Sequence, residues 1–226
     1  MITSEQKARM RAVINIFEND SQSPKTDYSS IYIYPDGPGE RRQLTLGFGI
    51  TEYGQMQTLV RMYINDGGSR AESFQKFVGK IGKTPLVDDK EFRALLKDSA
   101  KNDPIFQAAE DKIFVDKYFA PAQKFFTDAG FTQPLSLMVV LDSYIHSGSI
   151  PGFLRSRFSA TLPSAGGNEK EWIAQYINAR HAWLANHSRA ILRRTIYRTQ
   201  FFKNQIAKQN WEFNTPMNAN GVEVPS

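Results

Sequence analysis

Apolar positions recur at helical spacing near the start of the chain, where Met10, Val13, Ile14 and Phe17 fall on one helix face. Thr3-Ser4-Glu5-Gln6 reads as a capping box, with Thr3 as the cap and Gln6 three residues on. The helix is predicted to run to about Glu18, with a polar loop from Asp20 to Asp27 after it. Ile31 to Tyr34 is β-branched and aromatic, which predicts a strand. Pro35-Asp36-Gly37-Pro38-Gly39 has turn composition. From Gln43 to Thr51 the period becomes two: Leu44, Leu46, Phe48 and Ile50 on one face, Thr45, Gly47, Gly49 and Thr51 on the other. A β-hairpin is expected.

After Tyr53-Gly54 the pattern is helical almost throughout. Helices are predicted over 55–65, 69–78, 88–101, 104–128, 133–146, 150–159, 169–186 and 188–208. The breaks at Gly67-Gly68, 79–85, Asp103-Pro104 and 163–168 are too short for a domain linker. The segment 214–226 is polar with little periodicity and is expected on the surface, loosely held. The pattern describes a mainly α (α+β) chain, one domain over 1–226 without internal repeats.

At 226 residues, with 41% hydrophobic and 12% aromatic content, the chain can bury a substantial core. No apolar run is long enough to span a bilayer, so no membrane insertion is expected. The polar N-terminus lacks the apolar core of a signal peptide. That leaves a removed signal, another export route, or a protein that stays inside. With no cysteine, disulfides, thiolate zinc sites and cysteine nucleophiles are excluded. Three histidines without ligand spacing predict no metal site, and no cofactor is expected. The net charge of +5 draws the chain to polyanions and away from polycations.

Two carboxylates stand out against this background. Glycosidic cleavage needs a proton for the leaving oxygen and a base or nucleophile on the other side of the sugar. Two carboxyl groups in unlike surroundings supply both. Glu18 follows Ile14, Ile16 and Phe17, and apolar surroundings would raise its pKa and suit it as the acid. Asp36, in an exposed glycine-rich turn, should stay ionised and suits a base. Thr45, across the hairpin, can hold the attacking water. Taken singly, a Glu at a helix end and an Asp in a turn are more often structural.

The ordered parts resemble the chitosanases of glycoside hydrolase family 46, in the lysozyme superfamily. The matching pieces are Glu18-Asn19, Asp36-Gly37 and Thr45 with Leu46-Gly47-Phe48, then Asp103-Pro104-Ile105-Phe106-Gln107-Ala108-Ala109. Tyr118-Phe119 with Pro121-Ala122 follows, then Asp142 with His146 and Gly148, Ser188-Arg189, and Phe213-Asn214 with Pro216-Met217. The resemblance implies a lysozyme-like, two-lobed helical fold with a small sheet lining the active-site cleft. It also implies Glu18 as general acid, Asp36 as general base with inversion, and Thr45 as the water-positioning residue. Inversion requires carboxyl groups roughly 6.5–9.5 Å apart.

Two departures shape the expectation. The turn between Asp36 and Thr45 is lengthened by Pro38-Gly39-Glu40-Arg41-Arg42, which makes Glu40 and Glu52 rival bases, each otherwise a solvated surface residue. Around Ser188-Arg189 the family's acids are replaced by neutral and basic residues, from Asn186 to Arg194. A basic protein and cationic chitosan repel over a Debye length of roughly 8 Å. Peptidoglycan, an amino-sugar polymer that carries carboxylates, is therefore the preferred substrate. The setting would be a lysin or an injected antibacterial toxin acting outside the cytoplasm, with an immunity or inhibitor protein as partner. A true chitosanase is the alternative. The other rivals are a basic nucleic-acid-binding helical module and an inactive glycan-binding domain, although nucleic acid is not an expected partner.

Tyr34, Glu52, His146 and Arg189 are the candidate substrate-binding residues. Asp142 is expected to pair with Arg189 as structural support for the acid. Tyr32, Tyr34 and Tyr144 can stack on sugars, although aromatics among apolar neighbours are more often core. Trp172, Trp183 and Phe17 read as core. Arg180, Arg189, Arg193, Arg194, Arg198, Lys203 and Lys208 form a basic C-terminal stretch, either a solvated face or one turned to substrate.

Overall fold

The capping box forms as its residue types require. Gln6 Oε1 accepts from the Thr3 amide at 2.9 Å, and Thr3 Oγ1 accepts from the Gln6 amide at 3.1 Å. In the computed structural model, which describes residues 2–18 and 23–225, helix α1 (Ser4–Glu18) starts here. Asn19, paired with Glu18 in the sequence pattern, lies outside the described residues.

Strands β1 (Ile31–Tyr34), β2 (Gln43–Leu46) and β3 (Ile50–Thr51) follow. Next come helices α2 (Met56–Asn65), α3 (Ala71–Val78), α4 (Lys90–Asn102), α5 (Pro104–Phe114), α6 (Ala120–Asp128) and α7 (Pro134–Ser147). Helices α8 (Gly152–Arg155), α9 (Glu169–Ala185), α10 (Ala190–Arg193) and α11 (Ile196–Ala207) lead to strands β4 (Met217–Ala219) and β5 (Val222–Val224). The chain is mainly helical with a small antiparallel sheet, as the periodicity predicts.

Two compact units are present. One holds the described residues up to Thr26 and those from Lys117 onward; the other is Asp27–Asp116. In the second unit β1, β2 and β3 form an antiparallel sheet in that order, with Tyr32 opposite Thr45 and Tyr34 opposite Gln43. Leu44, Leu46 and Ile50 join Tyr63, Phe74, Phe92 and Phe106 in its core. In the first unit α7 is apolar on all sides, and every residue from Pro134 to Ser143 is buried.

Several predicted elements divide, each for a local reason. The strand expected from Gln43 to Thr51 breaks because Gly47 and Gly49 adopt φ of 48° and 79°, a turn that starts β3. The long helix over 104–128 is interrupted by a π-helical turn, Val115–Phe119. Pro121 has no amide proton to continue the α ladder there. The helix over 150–159 shrinks to the four residues of α8 because the Arg155 guanidinium bonds the Phe158 and Ala160 carbonyls and folds the chain back. The helix over 188–208 splits into α10 and α11, with the Thr195 hydroxyl donating to the Leu192 carbonyl.

The C-terminal expectation is corrected. Residues 217–224 form a hairpin rather than a loose tail, and Met217, Ala219 and Val224 are buried. Asn220 and Gly221 have φ of 49° and 88°, the conformation an Asn-Gly hairpin turn needs. The approach to this hairpin docks on α1, where Gln6 Nε2 donates to the Glu212 carbonyl and Arg9 Nη1 to the Phe213 carbonyl.

Candidate active site

Glu18 ends α1, and helix α11 fixes that end. Phe17 is buried edge-on against Tyr197, Phe201 and Phe202. The Tyr197 hydroxyl donates to the Phe17 carbonyl at 2.8 Å, satisfying a carbonyl that the helix end leaves open. Arg198 lies over the Phe17 ring, 5.1 Å from its centroid. From there Arg198 Nη1 donates to Glu18 Oε1 at 2.5 Å, and the Glu18 side chain is 28% exposed. The expected apolar pocket around Glu18 is thus an ion pair with one open side.

Behind Glu18 the charges continue inward. Arg198 Nε donates to Asp142 Oδ1 at 2.8 Å, and Arg180 Nη1 donates to Asp142 Oδ2 at 2.6 Å. Asp142 and Arg180 are fully buried. The chain Arg180–Asp142–Arg198–Glu18 has two charges of each sign. Such alternation lets buried ions persist, since each has a partner in hydrogen-bond range. Burial works against the charge on Asp142, but Arg198, Arg180 and His146 hold its pKa down to about 2. Burial also opposes the Arg198 charge, and Asp142 and then Glu18 outweigh it, so the guanidinium pKa lies above its ordinary value.

His146 sits one turn beyond Asp142 on α7. Burial, then the Arg198 and Arg180 charges, push its pKa down to about 4 against the pull of Asp142. It is neutral at pH 7. Its Nδ1 is buried without a hydrogen-bond partner among the described residues.

The support expected from Arg189 comes from elsewhere. Arg180 and Arg198 pair with Asp142, whereas Arg189 is exposed at the start of α10, its amide donating to His187 Nδ1. The basic C-terminal stretch is therefore not one surface: Arg180 and Arg198 are interior, while Arg193 and Arg194 are exposed. Arg180 and Arg198 reach Asp142 because α9 and α11 carry them there, a relation that no spacing in the sequence encodes.

In the second unit Asp36 follows β1 and is exposed, as its place in the glycine-rich turn suggests. Its Oδ1 accepts from Gln43 Nε2 at 3.0 Å. Gly37 is required beside it, since a Cβ there would meet the Arg41 carbonyl at 2.8 Å and the Tyr53 ring at 3.2 Å. The Gly37 amide donates to that same carbonyl and closes the lengthened turn. Thr45 shares the sheet face of Asp36's partner Gln43, and its buried Oγ1 has no hydrogen-bond partner among the described residues. A buried hydroxyl in that state is suited to take a water or a sugar hydroxyl. Tyr32 and Tyr34 stack on this face at 6.1 Å, and Tyr34 is 52% exposed, an open surface rather than core.

Glu52 is neither solvated nor turned to substrate. It is 1% exposed, and its two oxygens accept from the Leu86 amide at 2.5 Å and the Leu44 amide at 3.3 Å. The carboxylate ties β2 to the segment ahead of α4, which removes it as a rival base and as a substrate contact. Glu40 is exposed at φ 60° in the turn, in keeping with a solvated residue. Among the aromatics read as core, Trp172 is buried, but Trp183 is half-buried against Phe153 and His187.

The glycosyl hydrolase family 46 model matches residues 12–217. A chitosanase of Bacillus subtilis (strain 168) is 24% identical over 237 aligned positions, covering 98% of this chain and 84% of that protein. The crystal structure of a mutant chitosanase from Bacillus subtilis MY002, complexed with 6 GlcN, superposes with a TM-score of 0.82 at 22% identity, covering all of both chains. A GH46 chitosanase of Gynuella sunshinyii in complex with chitotetraose gives a TM-score of 0.81 at 18% identity, again over all of both chains. At these identities the structural likeness speaks for the fold.

Proposed function

The chain belongs to glycosyl hydrolase family 46, and on that premise we propose that it is an endo-acting hydrolase of chitosan, working outside the cytoplasm. In this reading Glu18 is the general acid that protonates the leaving oxygen. Asp36 is the general base that activates water, Thr45 Oγ1 orients that water, and the anomeric configuration inverts. The observation that carries the proposal is the Glu18–Arg198–Asp142 chain, which fixes one helix-end carboxylate from a fully buried anchor. That support holds the Glu18 carboxylate in one position while one side stays open, as a group that must meet a substrate requires. The named relatives are chitosanases, which favours chitosan over the peptidoglycan expected from charge.

Peptidoglycan remains a second reading on one observation, the net charge of +5 with Arg189, Arg193 and Arg194 exposed. The deciding experiment compares wild type and Glu18→Gln on soluble chitosan and on purified sacculi, with released fragments identified by mass. Chitosan turnover that drops about 10²–10⁴-fold in Glu18→Gln is the expected result. Sacculus digestion with inert chitosan would replace the substrate, and an undiminished Glu18→Gln would remove the acid assignment.

A further inference from the structure

In the second unit a cavity of about 470 Å³ opens between the start of β1 and one face of α4. Lys90, Arg93 and Lys97 line it from α4. Their spacing places all three on one helix face, spread over about 10 Å at 1.5 Å per residue. None of the three has an ion-pair partner among the described residues. The acids at the start of α4 and along it are engaged elsewhere: Asp88 with Arg42, Asp89 with the Phe92 amide as the helix cap, Glu91 with Lys76, Asp98 with Arg70. Ser29 and Ser30 line the facing wall. Asp27, the one carboxylate lining the cavity among the described residues, already accepts from the Ser29 amide and hydroxyl at 3.0 and 2.9 Å.

The floor of the cavity sets its relation to the sheet. Ile31 and Ile33 line it, and strand alternation turns these away from Tyr32, Tyr34 and Thr45. The cavity is therefore on the opposite sheet face from Thr45. Three cations against one carboxylate repel a cationic glycan, so chitosan is not its ligand.

We propose that this cavity binds the phosphate groups of a phosphodiester polymer. The Ser29 and Ser30 hydroxyls already donate to Asp27, so recognition falls to the cations: the Arg93 fork can meet two phosphate oxygens while Lys90 and Lys97 act as point charges on either side. The spread of the cations along α4 accommodates more than one phosphate. The enzyme would in this way be retained on a phosphate-rich surface without occupying the sheet face of Thr45. The inference is independent of which glycan is hydrolysed.

The test is calorimetric titration of the full chain with poly(glycerol phosphate), inorganic phosphate and poly-glutamate, at two salt concentrations. The polymer should bind more tightly than inorganic phosphate, and binding should weaken as salt rises. Lys90→Ala combined with Lys97→Ala should weaken polymer binding at least tenfold while glycan turnover without polymer stays unchanged. Circular dichroism confirms that this variant is folded; if it is not, Lys97→Gln alone should weaken binding severalfold. Undiminished binding in a folded variant overturns the site. Equal binding of poly-glutamate overturns the phosphate assignment, and polymer affinity no better than that of inorganic phosphate overturns the polymer.

Discussion

Arg198 holds Glu18 and Asp142 with one guanidinium, Nη1 donating to Glu18 Oε1 at 2.5 Å and Nε to Asp142 Oδ1 at 2.8 Å. A lysine has one ammonium and no fork, so it cannot reproduce both bonds. Arg198→Lys should therefore lower kcat by about tenfold or more through the loosened acid, with KM much less affected. Arg198→Ala leaves Asp142 with less of its compensation and should cost about 3–5 kcal/mol of stability. Steady-state kinetics beside urea melts separate the two effects.

Asp36 and Glu52 should respond in opposite ways. Asp36→Asn removes an exposed carboxylate whose one side-chain partner among the described residues is Gln43, and should leave the melting temperature near that of wild type while abolishing most turnover. Glu52→Gln replaces an oxygen that accepts from the Leu44 or Leu86 amide by a second donor. It should destabilise by about 1–3 kcal/mol, with kcat of the folded fraction within a few fold. A normal melt with no turnover in Glu52→Gln would return it to the list of bases.

Thr45 is tested by shape against chemistry. Thr45→Val keeps the β-branched volume and removes the unpartnered hydroxyl, so stability should hold or rise while kcat falls about 10-fold or more. Thr45→Ser keeps the hydroxyl and should retain most activity. Equal rates in Val and Ser variants would show that the hydroxyl has no part in the reaction.

His146 makes stability depend on pH. Its folded pKa of about 4 lies below the ordinary 6.5, so between these values the unfolded chain binds the extra proton. Stability is full above pH 6.5 and falls as pH drops towards 4, by roughly 3 kcal/mol at most. Asp142, held at about 2 against 3.8, adds a second loss below pH 4. His146→Gln should flatten the upper window and narrow the lower one, which Arg198 and Arg180 still hold open. Chemical denaturation at pH 7, 5 and 3 measures both.

Short-range signals carried much of the architecture. The Thr3–Gln6 box, the face of Met10, Val13, Ile14 and Phe17, and the alternation through Leu44 and Leu46 are all borne out, because each depends on neighbours within one or two turns. The Asn220-Gly221 turn was equally readable, with apolar residues alternating on both sides, but polar composition hid it. The splits at Val115–Phe119 and at α8 turn on one proline ring and one arginine side chain, details that a periodic pattern averages away.

The sequence by itself determined a mainly helical chain with a small sheet, excluded thiol chemistry, and singled out Glu18, Asp36 and Thr45 by residue type and order. Only the tertiary structure decided their partners. Glu18 and Arg198 are linked because α1 and α11 pack through Phe17, Asp142 takes Arg180 instead of Arg189, and Glu52 turns inward to two amides. Hydrophobic periodicity records which face of an element is buried. It does not record which distant charge the buried face will meet, because that pairing is set by packing between elements and by the need of each buried ion for a partner.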